Sequence, residues 1–203
     1  DWSSDVCSSD LRFVIALREN GTVIGWGRND FNQLNIPSNL RDVIAIAAGD
    51  RHAVALKSDG TVVAWGDGRA GQTMIPPGLR DVVKISAGEN HTLALLDTGR
   101  VVGWGSNDRG QISIPRNLGP VAHIGAGRRY SVASMVDGTI AGWGSADHGV
   151  IKFPPGLNSV VVIGVSNINT VIGLRDSTII AIGDSTFRWE EHTSELQSRV
   201  DIS

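Results

Sequence analysis

The chain has 203 residues, with 18 basic and 21 acidic side chains and a formal net charge of −3 at pH 7. This balance lacks the basic patch that nucleic-acid binding needs, and no apolar run approaches the length of a transmembrane helix. The one cysteine, Cys7, excludes a disulfide framework within the chain. We therefore predict no nucleic-acid partner, no membrane insertion and no cofactor.

The first segment in chain order, residues 1–11, shows no repeat pattern and resembles a translation of sequencing-adapter DNA. Residues 188–203 resemble such a translation as well. We predict that both segments are non-native and that residues 12–187 form one domain. The acidic surplus of the chain lies in the two ends, so the domain itself carries a small net positive charge.

A Trp-Gly pair recurs through this domain with a period of 39 residues. Its copies begin at Trp26, Trp65, Trp104 and Trp143, and Ile182 occupies the fifth slot. A fixed period in the range of about 20–50 residues indicates stacked copies of one supersecondary unit. Function is therefore expected from a repeat scaffold, with no single active-site cleft.

The second copy shows how one unit folds. Two apolar runs, residues 53–57 and 62–65, flank Asp59-Gly60, a dipeptide typical of a two-residue type I′ hairpin turn. Such a turn pairs residue 56 with 63 and residue 54 with 65. It places the large side chains on one face and Ala55 with Ala64 on the other. The large set would be Val54, Leu56, Val63 and Trp65. A further apolar run, residues 82–87, precedes the next hairpin and predicts an additional strand.

A small sheet that is apolar on both faces needs a cover on both sides. Stacking successive copies face to face, with each Trp lying over small residues of its neighbour, meets this need. The sequence therefore predicts an all-β fold, a partial β-propeller of about five blades with three to four antiparallel strands each. The alternative, a right-handed β-solenoid, usually has shorter coils and parallel strands.

The repeat can be written from residues 52–66, Gly71-Gln72, Pro76 and residues 82–88. This pattern resembles the regulator of chromosome condensation (RCC1-type) repeat. It is closest to short-repeat bacterial members such as the propeller-type β-lactamase inhibitory protein. The resemblance implies a seven-bladed ring, so about two blades are expected to lie outside this sequence.

The copies differ most in two loops, one after each Trp-Gly and one before each histidine slot. Variable loops on a rigid scaffold usually carry binding. We predict a monomeric, non-catalytic scaffold that binds a protein partner, of unknown identity, through these loops at one propeller face. The candidate residues are Phe31, Arg51, Arg69, Asn90, Arg109, Arg129, His148 and Ile168. In the β-lactamase inhibitor, aromatic residues stand before the histidine slot. Here Arg51, Asn90, Arg129 and Ile168 stand there, so the resemblance does not extend to that inhibition.

The histidines are interpreted as packing residues. His52 and His91 share their slot with Tyr130 and Asn169, so the slot accepts side chains of unrelated chemistry. We predict no catalytic and no metal-binding residue. Two alternatives stay open: a purely structural repeat module of a larger, bacterial-type surface or secreted protein, and a carbohydrate-active propeller enzyme. The enzyme would need paired carboxyl groups at the propeller mouth.

Overall fold

The structure is a computed structural model that describes the backbone of residues 2–9 and the backbone and side chains of residues 13–184. These residues form five three-stranded antiparallel sheets, each made of consecutive strands. No helix in the described part of the chain is long and apolar enough to cross a membrane. The predicted all-β partial propeller of five blades is confirmed. The predicted non-native segment 188–203 lies outside the described residues.

The strands of blades one to five follow in chain order. They are β1 (Trp2–Ser9), β2 (Phe13–Arg18) and β3 (Val23–Gly27); β4 (Val43–Ala48), β5 (His52–Lys57) and β6 (Val62–Gly66); β7 (Val82–Ala87), β8 (His91–Leu96) and β9 (Val101–Gly105); β10 (Val121–Ala126), β11 (Tyr130–Met135) and β12 (Ile140–Gly144); β13 (Val160–Val165), β14 (Asn169–Leu174) and β15 (Ile179–Gly183). One 3₁₀ turn, Asp147–Gly149, lies between β12 and β13.

The hairpin register differs from the predicted one by one residue. The Gly60 amide donates to the Lys57 carbonyl (3.0 Å), and the Lys57 amide donates to the Thr61 carbonyl (2.9 Å). Only Gly60 in this turn has a positive φ, 75°. The loop therefore has three residues and ends in a left-handed glycine, where the two-residue type I′ turn needs two positive φ angles. Leu56 consequently pairs with Val62, and the predicted division into a large and a small face is wrong.

This turn makes Gly60→Ala destabilising by about 1–2 kcal/mol, because an alanine in the left-handed region is strained. The added Cβ would also lie 3.2 Å from the Asp81 backbone. Urea unfolding measures the effect. Gly119→Ala is the control, since its Cβ would meet only the Met135 side chain at 3.7 Å, in ordinary contact. Ser177 fills the same turn slot in blade five with φ 70°, so Ser177→Gly should raise the unfolding free energy.

Each blade has two different apolar faces. In blade two, one face carries His52, Val54, Leu56 and Val62, and we call this side of any blade the His face. The opposite side carries Ala53, Ala55, Val63 and Trp65, and we call it the Trp face. The core consists of His faces packed against the Trp faces of the following blades, as where Ile15 and Leu17 meet Ala55 and Trp65. Placement of the tryptophans between blades is confirmed, and each lies beside the small residues of its own hairpin.

The first strands of successive blades contact each other and line the propeller axis. In blades two to five each first strand carries the same one-residue bulge and the same register against its neighbour. In blade one, β1 pairs Val6 with Ala16, whereas the shared register would pair residue 6 with Leu17. This one-residue departure supports a foreign origin for residues 1–11, which stays a prediction.

Candidate protein-binding face

The topology brings the two variable loops of a blade to the same end of the propeller. The chain reverses after β4, reverses again after β5, and leaves β6 beside the loop where β5 began. The Asp67 amide donates to the Arg51 carbonyl at 2.9 Å, which ties the two loops together. Gly66, with φ 102°, is required at this contact because a Cβ would lie 2.6 Å from the Arg51 carbonyl oxygen. We call this end the loop face.

The glutamine of each repeat fixes one loop and anchors the next blade. The Gln72 side-chain oxygen accepts the Ala70 amide at 2.9 Å, which closes the loop after β6. The Gln72 carbonyl accepts both the Trp104 indole N–H (2.9 Å) and the Thr92 hydroxyl (3.1 Å) of blade three. The Gln111 carbonyl accepts equivalent bonds from blade four. The loops therefore sit on a rigid frame shared by neighbouring blades.

The buried histidines complete this frame in their neutral form. His52 Nε2 lies 3.0 Å from the Thr92 hydroxyl oxygen, whose single proton is already donated to Gln72. His52 must therefore donate from Nε2, and its Nδ1 has no partner among the described residues. Burial lowers the pKa of His52 to about 3 and that of His91 to about 4. The predicted packing role of both histidines fits this geometry.

Three candidate residues form a stack at the corner of blades one and two. The Arg51 guanidinium carbon lies 4.4 Å from the centre of the Phe31 ring, and that of Arg69 lies 4.8 Å from it. Each arginine also has a carboxylate partner: Asp50 for Arg51 at 3.3 Å and Asp67 for Arg69 at 2.6 Å. The ring and two guanidiniums thus form a partly exposed platform whose cations are balanced.

A second group joins blades three to five. Arg128 and Arg129 both approach the Glu89 carboxylate, at 3.1 and 3.4 Å. Arg129, His148 and Ile168 line a small cavity of about 110 Å³. Arg51, Glu89, Arg128 and Ile168 line a wider depression of about 510 Å³. The candidate residues of the two groups therefore meet around one depression.

The remaining candidates stand at single positions of the same end. Asn90 Oδ1 accepts a long bond, 3.5 Å, from the Gln72 side chain. The Arg109 amide donates to Gln111 Oε1 at 2.9 Å, and the positive charge of Arg109 helps to lower the pKa of Asp147. His148 Nδ1 lies 3.4 Å from the Asp184 carboxylate.

The shifted carboxyl groups of the loop face are held in the ionised form. Arg69 lowers the pKa of Asp67 chiefly through its side-chain hydrogen bonds, and Ser106 does the same for Asp108. A hydrogen bond from Ser145 is the main cause of the lowered pKa of Asp147. A general acid needs a raised carboxyl pKa, the opposite shift. The described residues also contain no cluster of three His, Cys, Asp or Glu side chains suited to a metal ion.

Several residues that build this face were not among the sequence candidates. Asp50, Asp67, Glu89 and Arg128 supply the ion pairs, and the repeated glutamine supplies the frame. The 39-residue recurrence of Gln33, Gln72 and Gln111 is a signal that points to a structural role. The ion pairs leave no such periodic signal, because they form between loops that differ from blade to blade.

The family model of the regulator of chromosome condensation (RCC1) repeat matches residues 4–33, 43–72 and 82–111. Each match spans one blade from its first strand to the glutamine slot. The chain is an RCC1-type repeat propeller. The first match begins inside the segment predicted to be non-native, whose origin stays a prediction. The predicted kinship to the short-repeat bacterial members is likewise a prediction.

Solved structures of RCC1-type propellers share the fold. Yeast RCC1 (Prp20), crystallised bound to Kap60, has 20% identity and a TM-score of 0.73, with 89% of this chain and 56% of that chain covered. The ectodomain of the Physcomitrella patens receptor kinase CR4 has 19% identity and a TM-score of 0.73, with 88% and 49% covered. Human WBSCR16 has 18% identity and a TM-score of 0.73, with 90% and 62% covered.

This RCC1-type chain therefore spans between about half and two thirds of the length of these relatives. A comparison with curated protein sequences gave no match.

Proposed function

We propose that this propeller is a non-catalytic scaffold that binds a protein partner through its loop face. The observation that carries the proposal is the convergence of the variable loops on one end of a frame whose other parts repeat. Partly exposed Phe31 and several arginines stand around one depression there. Aromatic residues and arginines are the types most enriched in the energetic centres of protein interfaces.

Two further observations support this proposal. Yeast RCC1, which shares the fold, has been crystallised with Kap60, so the fold accommodates protein partners. The shifted carboxyl groups of the loop face are ionised by hydrogen bonds and neighbouring cations, and so lack the raised pKa of a general acid. The side chains with strongly raised or lowered pKa values include His52, His91 and Tyr130, which are buried between blades.

A capture experiment with matched variants tests this function. The loop variant combines Phe31→Ala, Arg51→Ala and Arg129→Ala. The control combines Val136→Ala, Arg100→Ala and Arg175→Ala, which lie at the hairpin turns of the opposite end and are exposed. Partners crosslinked to the wild type and to the control but lost from the loop variant would support the proposal. Equal capture by all three proteins would overturn it and favour the purely structural module.

A further inference from the structure

Every contact between successive blades of the described chain uses the same two surfaces. The His face of one blade packs on the Trp face of the next, and this happens at four boundaries in a row. The pairing has a direction, because a His face always meets a Trp face. At two of these boundaries the indole N–H and a hydroxyl of the later blade bond to a glutamine carbonyl of the earlier one.

The end blades each keep one of these surfaces uncovered by described residues. On the Trp face of blade one, Trp26 is 48% exposed, whereas Trp65, Trp104 and Trp143 are 7%, 5% and 6% exposed. On the His face of blade five, Val171 is 42% and Ile179 is 73% exposed. The counterparts of Val171 in blades two to four are fully buried. They are Val54, Leu93 and Val132.

We propose that these two surfaces bind each other between copies of this chain, head to tail. The occupant of the blade-five surface is the Trp26 side of a second copy, because that pair of surfaces already forms the four internal boundaries. The association would remove a tryptophan and two β-branched side chains from water, which is the main driving force for such contacts. The monomeric state predicted from the sequence would then hold only at low protein concentration.

The geometry also determines how the association grows. A contact between two different surfaces is heterologous, so each bound copy still offers one free surface at either end. Association therefore continues beyond a dimer unless the copies close into a ring. The loop face takes no part in this contact, since it lies at the propeller end and the proposed surfaces lie on the blades.

Light scattering coupled to size-exclusion chromatography, over a wide range of protein concentration, tests the proposal. The wild-type mass should rise above the 21.5 kDa of one chain as concentration increases. Trp26→Asp disables one surface and Ile179→Asp the other, so each variant alone should stay monomeric. An equimolar mixture retains one intact surface of each kind and should give a dimer and nothing larger.

Controls separate this proposal from others. Met74→Asp changes a side chain that is 72% exposed and outside both surfaces, so this variant should associate like the wild type. The loop variant should also associate, which keeps the result independent of the proposed function. Far-UV circular dichroism checks that each variant is folded. A wild type that stays at monomer mass, or a mixture that forms no dimer, would overturn the proposal.

Discussion

Trp104→Ala is expected to lower the free energy of unfolding by about 3–5 kcal/mol. Trp104 is 5% exposed and packs in one cluster with Val54 and Leu56 of the preceding blade. Its removal would leave a large cavity between two rigid sheets that are tied together by the glutamine frame. The Gln72 carbonyl would keep the Thr92 hydroxyl as a donor, so the loss of packing accounts for most of the cost.

Trp26→Ala provides the matched control. Trp26 occupies the same slot of the repeat but is half exposed, so its truncation should cost less than about 1 kcal/mol. Urea unfolding followed by circular dichroism, at low protein concentration, compares the two variants. Similar losses for both would show that the tryptophans do not act through packing between blades.

The period of the sequence was sufficient to predict the blades, because a spacing of 39 residues without insertions leaves each strand in phase. It was not sufficient for the hairpin register. Asp59-Gly60 fits both a two-residue type I′ turn and a three-residue loop that ends in a left-handed glycine. The two turns differ by one residue, and one residue exchanges the faces of a strand. Here Ala53 and not Val54 pairs with Trp65.

The binding face shows a similar division. The sequence predicted that the variable loops share one end, since strand alternation alone determines where each loop lies. It did not predict that Phe31 would lie between Arg51 and Arg69, because these residues belong to different loops of two blades. The same holds for His52 and Thr92, whose hydrogen bond joins blades two and three. Contacts between blades depend on inter-blade geometry, which a single repeat does not contain.

Acid is expected to destabilise the fold well before its carboxylates are protonated. His52 and His91 have pKa values of about 3 and 4 in the folded chain, because burial penalises the charged form. In the unfolded chain a histidine has its ordinary pKa of about 6.5. Between these values the unfolded chain binds protons that the folded chain does not. Stability is therefore complete above pH of about 6.5 and falls as the pH drops toward 4.

The geometry explains why the folded chain resists protonation. Nε2 of His52 already donates to Thr92, so a proton on Nδ1 would add a buried charge and a donor with no acceptor among the described residues. Each histidine should cost about 2 kcal/mol of stability at pH 5 relative to pH 7.5, from about 1.36 kcal/mol per pKa unit. Urea midpoints at the two pH values, converted to free energies, measure the sum.

Substitution at the two buried histidines should remove most of this pH dependence. Asparagine is the replacement of choice, because Asn169 fills the same slot in blade five. His52→Asn with His91→Asn will lower stability at pH 7.5 and flatten its change between pH 7.5 and 5. His123, whose pKa burial and Lys84 also lower, accounts for a remaining slope of the same sign. His148→Asn alters a half-exposed histidine and should leave the slope unchanged. A double variant that keeps the full slope would show that the interior histidines are not the titrating groups.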